Sequence, residues 1–310
     1  MRVLIAEQDH ALYARLLGEL APDLEVLTSG DSAELARQAP QCPVWLGEPH
    51  LVASLLRQGH VPDWLQSTWA GITPLLAEGL PRDYRLSRAV GIFGQVMAEY
   101  MLTYMLIHER DVLARLVSQV ERRWDGRPGN SLQGRKVLIV GTGDIGQRVA
   151  EFLLPFGVTL YGIASTPREQ APFVEVAGLE ALPQRVAEVD YVLNLLPDTP
   201  ATHDLYDAAL FQRFKPTALF INAGRGVAVV DADLVEALKN GHLAGAVIDV
   251  CRQEPLPQRH PFWTAWGLLL TGHSSAPTSP EAMVRLFIDN LRAYTAGQPV
   301  RGEVDFARGY

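Results

Sequence analysis

Apolar residues fall along the chain in short unbroken runs separated by polar or glycine-rich turns. In the first hundred residues the runs at 3–6, 24–27, 44–47 and 64–68 read as strands, with helical spacing between them. The turn Trp69-Ala70-Gly71 follows the last of these. Residues 95 to about 120 carry one long helical pattern, in which Met97, Met101, Met105 and Leu106 recur at roughly helical spacing. Core packing accounts for such a methionine stripe better than a cofactor box does. The segment ERRWDGRPGNSLQG that follows is polar and rich in arginine and glycine, and reads as a loop or arm.

A second series of apolar runs occupies 136–140, 159–163, 191–195, 218–221, 246–249 and 268–270. Helical stretches such as 146–154 and 231–239 lie between them, and a last helix is expected over 280–295. Strands that are apolar throughout, alternating with helices, predict an α/β doubly wound parallel sheet covered on both faces. There are no internal repeats.

Composition narrows the function. A chain of 310 residues is long enough for two domains, and 48% hydrophobic with 20% charged residues is globular. The net charge of −8 argues against a nucleic-acid partner, which needs a basic face, but leaves room for a local anion site. Two isolated cysteines, Cys42 and Cys251, form no metal-like spacing and fit a reducing compartment. The N-terminal run MRVLIAEQDH has no cleavage signal, and no apolar run approaches the roughly 20 residues of a membrane span. The expectation is a cytoplasmic enzyme with no metal and no membrane or nucleic-acid partner.

The motif KVLIVGTGDIGQRVAEFL places Gly141-x-Gly143-x-x-Gly146 directly after a strand and before an amphipathic helix. In this context the glycines permit the tight turn, the close approach of a pyrophosphate and the packing of helix on strand. The helix N-terminus then offers N–H groups and partial positive charge to phosphates. Gly141, Gly143, Asp144, Ile145 and Gly146 are therefore expected cofactor contacts. At the end of the next strand a carboxylate would bind the ribose hydroxyls of NAD. Here LYGIASTPRE carries Ser165, Thr166 and Arg168 instead, a set that suits a 2′-phosphate. NADP(H) is expected over NAD(H).

Ligands of such sheets bind beyond the carboxyl ends of the strands. Leu196 and Pro197 end one strand and Ala223 another, and all three are further expected cofactor contacts. Three charged side chains arrive at the same edge: Arg225 in NAGRG, Glu254 in CRQEPLP and His273 in LLLTGH. That set suits reduction of a 2-keto acid. A histidine with an ordinary pKa near 6.5 can deliver a proton at neutral pH, a carboxylate keeps it charged, and an arginine grips the substrate carboxylate and polarises the carbonyl.

These residues resemble the D-isomer-specific 2-hydroxyacid dehydrogenase family. The similarity runs through VGTGDIGQRVA, LLPDTPATHDLYD, LFINAGRGVAVVDADLVEAL, GHLAGAVIDVCRQEPLP and LLLTGH. GIFGQVMAEYMLTYML and the terminal GEVDFARGY are similar to its glyoxylate/hydroxypyruvate reductase A branch. The resemblance implies a Rossmann-like domain, 101–278, inserted into a smaller flavodoxin-like substrate domain made of 1–100 and 279–310. It implies that Arg225, Glu254 and His273 are catalytic, with Arg225 and His273 also touching substrate. It further implies that Asp249 bonds the nicotinamide carboxamide and that Ala70 and Gly71 hold the substrate carboxylate. Trp45 joins the expected substrate contacts; for Trp45, Trp69 and Trp124 alike, core or dimer packing competes with narrowing the pocket. A homodimer is expected, in which a partner can lend a tryptophan from an arm. Where many members have proline before the histidine, this chain has Gly272, expected to loosen the turn without changing the chemistry.

The leading expectation is NADPH-dependent reduction of small 2-keto acids, glyoxylate or hydroxypyruvate. Reduction of bulkier 2-keto acids such as phenylpyruvate is the alternative among enzymes. A phosphoglycerate dehydrogenase is disfavoured, since NAD and a regulatory domain after residue 310 would be expected of one. A non-catalytic dinucleotide-sensing module is the alternative of another class, and the intact Arg225, Glu254 and His273 weigh against it.

Overall fold

The computed structural model describes residues 1–307 and 309, so that Arg308 and Tyr310 of the terminal motif lie outside the described residues. The chain divides into two compact units, Met1–Ile92 with Thr278–Tyr310, and Phe93–Pro277.

The first unit is a parallel sheet of β1 (Arg2–Ala6), β2 (Glu25–Thr28), β3 (Val44–Gly47), β4 (Trp64–Ser67) and β5 (Arg85–Ser87). The strands run in the order β2-β1-β3-β4-β5, the doubly wound order in which the switch point falls between β1 and β3. Helices α1 (His10–Leu20), α2 (Ser32–Gln38) and α3 (Pro49–Arg57) connect them. Leu4, Trp45, Leu65 and Leu86, from four of the strands, meet in one core. The short β5 escapes the sequence pattern because its residues, RLS, include only one apolar side chain and make no run.

The second unit opens with α4 (Gly94–Glu109) and α5 (Val112–Val120). The expected boundary at 100–101 would cut α4; the actual one precedes it, because α4 packs on a helix of the second unit and buries Met97, Met101 and Met105. Leu106 is exposed and not among them. The expected single helix also breaks, at Asp111, whose φ of 50° is left-handed. Such a break has no sequence signal of the glycine or proline kind, and asparagine and aspartate are the residues that tolerate it.

After the arm come β6 (Lys136–Val140), α6 (Asp144–Leu153), β7 (Thr159–Ile163), β8 (Glu175–Ala177), α7 (Leu182–Arg185) and β9 (Tyr191–Asn194). Then follow α8 (Ala208–Phe211), β10 (Leu219–Asn222), α9 (Asp231–Lys239), β11 (Gly245–Ile248) and β12 (Leu268–Leu270). The seven strands are parallel in the order β12-β11-β10-β9-β6-β7-β8. The order reverses between β6 and β9, which is the Rossmann arrangement and puts the ligand crevice at their carboxyl ends. The four residues of β9, β10 and β11 are all buried, as a sheet covered on both faces requires. The chain returns to the first unit as α10 (Pro280–Thr295), which packs on α1. Among the described residues no helix is long and apolar enough to cross a membrane.

Candidate active site

The glycine turn is shaped by what a side chain would strike. Gly141 has a φ of 106°, and a Cβ there would lie 3.0 Å from the Leu195 backbone. A Cβ on Gly146 would sit 2.1 Å from the Gly141 carbonyl oxygen, so only glycine lets α6 approach the turn. Around Gly143 the space is open, with nothing within 4 Å of its Cβ position. The first-turn N–H groups of a helix have no intrahelical acceptor, and those after Gly143 border this open space. Tight packing behind and room in front fit a pyrophosphate. Asp144 and Ile145 form that first turn. Leu196 is half-buried and Pro197 exposed after β9, and Ala223 is half-buried after β10, at the same edge.

At the end of β7, Ser165, Thr166 and Arg168 are all exposed. The Arg168 guanidinium donates through Nη1 to the Thr166 carbonyl at 3.3 Å, and through Nη2 to the Thr142 Oγ1 at 2.7 Å. The cation therefore lies against the glycine turn itself.

Further along the edge, Arg225, Glu254 and His273 come together. His273 Nδ1 and Glu254 Oε2 are 2.7 Å apart, and Glu254 Oε1 accepts the Cys251 N–H at 2.8 Å. The bond to Glu254 raises the His273 pKa above its usual value, against partial burial and the nearby Arg225 charge. Burial opposes ionisation of Glu254, but His273, the Cys251 N–H and Arg225 outweigh it and hold the carboxyl below its usual range. Burial lowers the Arg225 pKa, while Asp198 and Glu254 act in the opposite sense. A guanidinium remains charged at neutral pH despite such a shift. The arrangement favours the protonated imidazole, with Nδ1 engaged by Glu254, next to a half-buried cation.

Asp249 lies at the centre of the loop that carries His273. Its Oδ1 accepts the Thr271 hydroxyl at 2.6 Å and the Ser274 N–H at 2.8 Å, and Oδ2 accepts the Ser275 N–H at 3.2 Å. Its backbone carbonyl accepts the His273 N–H at 2.6 Å. Tyr100 of α4 extends the chain, 2.8 Å from Thr271 Oγ1. These bonds hold His273 at a φ of 55° beside Gly272 at 67°. Gly272 thus does more than loosen the turn. A proline, locked near −65°, cannot follow this backbone, so the loop takes a path that the glycine permits.

Several positioning groups were not evident as site residues. Asn194 and Asn222, fully buried at the ends of β9 and β10, bond each other at 2.9 Å. Asn222 also accepts the Gly224 N–H at 3.2 Å and donates to the Arg225 carbonyl at 3.2 Å, which fixes the Arg225 loop. An asparagine closing two otherwise apolar runs, YVLN and LFIN, is the signal that could have marked them. Arg252 turns away from the set, donating to the Val229 carbonyl at 2.7 Å and pairing with Asp204.

On the first unit, Ala70 and Gly71 are half-buried after β4. Trp45 does not line a pocket. It is fully buried in the sheet core, where its indole N–H donates to the Cys42 carbonyl at 2.9 Å. Trp69 is partly exposed with its ring edge-on to His50, and Trp124, 95% exposed, has no core role.

A family model described as D-isomer specific 2-hydroxyacid dehydrogenase, NAD binding domain, matches residues 102–275. A glyoxylate/hydroxypyruvate reductase A of Photorhabdus laumondii is 33% identical over 217 residues, 70% of this chain and 69% of that protein. The crystal structure of a D-isomer specific 2-hydroxyacid dehydrogenase family protein from Aeromonas salmonicida superposes with a TM-score of 0.92 at 37% identity. It covers 98% of this chain and 99% of that one. The NADPH-dependent glyoxylate/hydroxypyruvate reductase of Sinorhizobium meliloti, solved with NADP and sulfate, superposes with a TM-score of 0.87 at 26% identity. There the coverage is 100% of this chain and 99% of that one.

Proposed function

Since the chain belongs to the D-isomer specific 2-hydroxyacid dehydrogenase family, whose members are NAD(P)-dependent enzymes, we propose that it reduces small 2-keto acids, glyoxylate or hydroxypyruvate, with NADPH. The observation that carries this reading is the pair His273–Glu254 at 2.7 Å beside Arg225, at the edge of the sheet that bears the glycine turn. The glycine turn would hold the reduced dinucleotide, which would supply the hydride for the carbonyl carbon.

His273 supplies the matching proton. Glu254 occupies Nδ1 and favours the imidazolium, so Nε2–H is the group free to donate to the carbonyl oxygen. Arg225 pairs with the substrate carboxylate and stabilises the negative charge that develops on the oxygen. Because it is half-buried, this charge acts through a medium less polar than water and counts for more. On the first unit the backbone N–H groups of Ala70 and Gly71 are the proposed contacts for the substrate carboxylate. Asp249 is the proposed partner of the nicotinamide carboxamide; Oδ2, with one bond from the loop, retains capacity for it.

The absence of a carboxylate at the end of β7 and the presence of Ser165, Thr166 and Arg168 support NADP(H) over NAD(H). The relative from Sinorhizobium meliloti, described as NADPH-dependent, points the same way. We also propose a homodimer formed through α5, whose Val112, Leu113, Leu116, Val117 and Val120 are all exposed, the last at 77%. An uncovered apolar face of this kind marks a protein contact.

Oxidation of NADPH and NADH against a panel of 2-keto acids, from glyoxylate to phenylpyruvate, tests the reading directly. In the same assay His273→Asn should lower kcat about a hundredfold or more, the usual scale of general acid catalysis, and leave NADPH affinity nearly unchanged. An undiminished kcat would remove His273 as the proton donor.

A further inference from the structure

Arg168 is exposed, yet neither its backbone nor its side chain is loose. Its N–H donates to the Val176 carbonyl of β8 at 3.2 Å, an antiparallel bridge. Its Nε donates to Gln170 Oε1 at 2.7 Å, and Nη2 reaches both the Thr142 carbonyl at 3.1 Å and Thr142 Oγ1 at 2.7 Å. With Nη1 on the Thr166 carbonyl, four of the five guanidinium N–H groups are engaged. Gln170 is held in turn: its Nε2 donates to the Thr142 carbonyl at 3.0 Å and to Gln147 Oε1 at 2.6 Å. Gln147 lies on α6 and closes the ring by donating to the Ala171 carbonyl at 2.7 Å. Thr142 is buried between the first two glycines of the turn.

We infer that Gln170 is a specificity-determining positioning residue: with Thr142 and Gln147 it latches the Arg168 guanidinium to the glycine turn, ready for a dinucleotide that carries a ribose 2′-phosphate. The physical argument is preorganisation. A long cationic side chain free in solvent loses rotamer freedom when it closes on an anion, and that loss subtracts from affinity. A latched guanidinium has lost it during folding and keeps its charge, with one Nη1 N–H still unengaged next to the Thr166 backbone. The latch makes no contact that would favour a dinucleotide with a plain ribose hydroxyl. It should therefore change the ratio of the two affinities rather than both together.

The inference rests on Ser165, Thr166 and Arg168 as the seat of the 2′-phosphate, and binding measurements separate the two. Dissociation constants for NADPH and NADH, by calorimetry or fluorescence, are compared for the unsubstituted protein, Arg168→Ala, Gln170→Leu and Gln170→Glu. Gln170→Leu should weaken NADPH about tenfold, equivalent to about 1.4 kcal/mol, and change NADH by less than about twofold. Gln170→Glu keeps the shape and an acceptor for Nε, so it carries the test if the leucine variant does not fold. It loses both amide donations and adds a negative charge, and should weaken NADPH further while sparing NADH. Equal losses for the two dinucleotides, or no loss for either, overturn the latch. Should Arg168→Ala weaken NADPH selectively while both Gln170 variants leave it unchanged, the seat stands and the latch falls. Equal losses in Arg168→Ala overturn the seat itself.

Discussion

Glu254 contributes a charge and a hydrogen bond to His273, and the two can be separated. Glu254→Gln keeps an oxygen near Nδ1 but removes the charge that raises the imidazole pKa. In the proposed mechanism the imidazolium is the proton donor, so the rate of keto-acid reduction should fall as pH rises through the His273 pKa. In Glu254→Gln that alkaline limb should move to lower pH, toward the ordinary value of 6.5. A limb that stays in place would mean that the carboxylate does not set the protonation state. The same pair gives a signed stability effect. The His273 pKa is raised by folding, so its contribution is complete below the ordinary value and is lost as pH rises through the folded one. The Glu254 pKa is lowered, so its contribution is present above its ordinary value of 4.5 and is lost as pH falls through the folded one. The pair stabilises most in the window between those two limits. Both side chains are more than a third exposed, which keeps the effect modest.

At the scale of elements, strands built of consecutive apolar residues announce themselves as runs, and β3, β6, β7 and β12 lie where those runs predict. The three-residue β5 and β8 do not, because their formation depends on the neighbouring strand and not on local pattern. The omission of β8 mattered, since its Val176 anchors Arg168. The site shows the same division. The glycines, Arg225, Glu254 and His273 are legible because each follows a strand; Gln170, Thr271 and Asn194 act through tertiary hydrogen bonds that no spacing encodes. Trp45 misled for a related reason: β3 is buried on both faces, so a large ring beside the strand end is core. Helix α5 shows the opposite case, a strongly apolar helix left uncovered. Leu116→Glu together with Val120→Glu should convert the proposed dimer to a monomer in sedimentation, because two carboxylates per copy would be buried unpaired. Persistence of the dimer would place the interface elsewhere.

Over the whole molecule, charge and function pull in opposite directions. The net charge is −8, while the proposed cofactor and substrates are all anions. The net charge therefore works against long-range attraction, and in the proposed mode binding rests on short-range cations such as Arg168 and Arg225 and on helix N–H groups. Salt distinguishes the two ranges. Interactions across more than the Debye length, about 10 Å at 0.1 M salt, are screened, whereas contacts of about 3 Å at a half-buried group survive. For an acidic protein the screened component is repulsive. Raising the salt from about 0.01 M to 0.15 M, over which the screening length falls from about 30 Å to 8 Å, should increase the association rate of NADPH in stopped-flow fluorescence. A basic dinucleotide-binding surface would show the reverse. A rate that falls with salt would mean that the field at the glycine turn is positive well beyond contact distance, so that Arg168 steers the cofactor in as well as holding it.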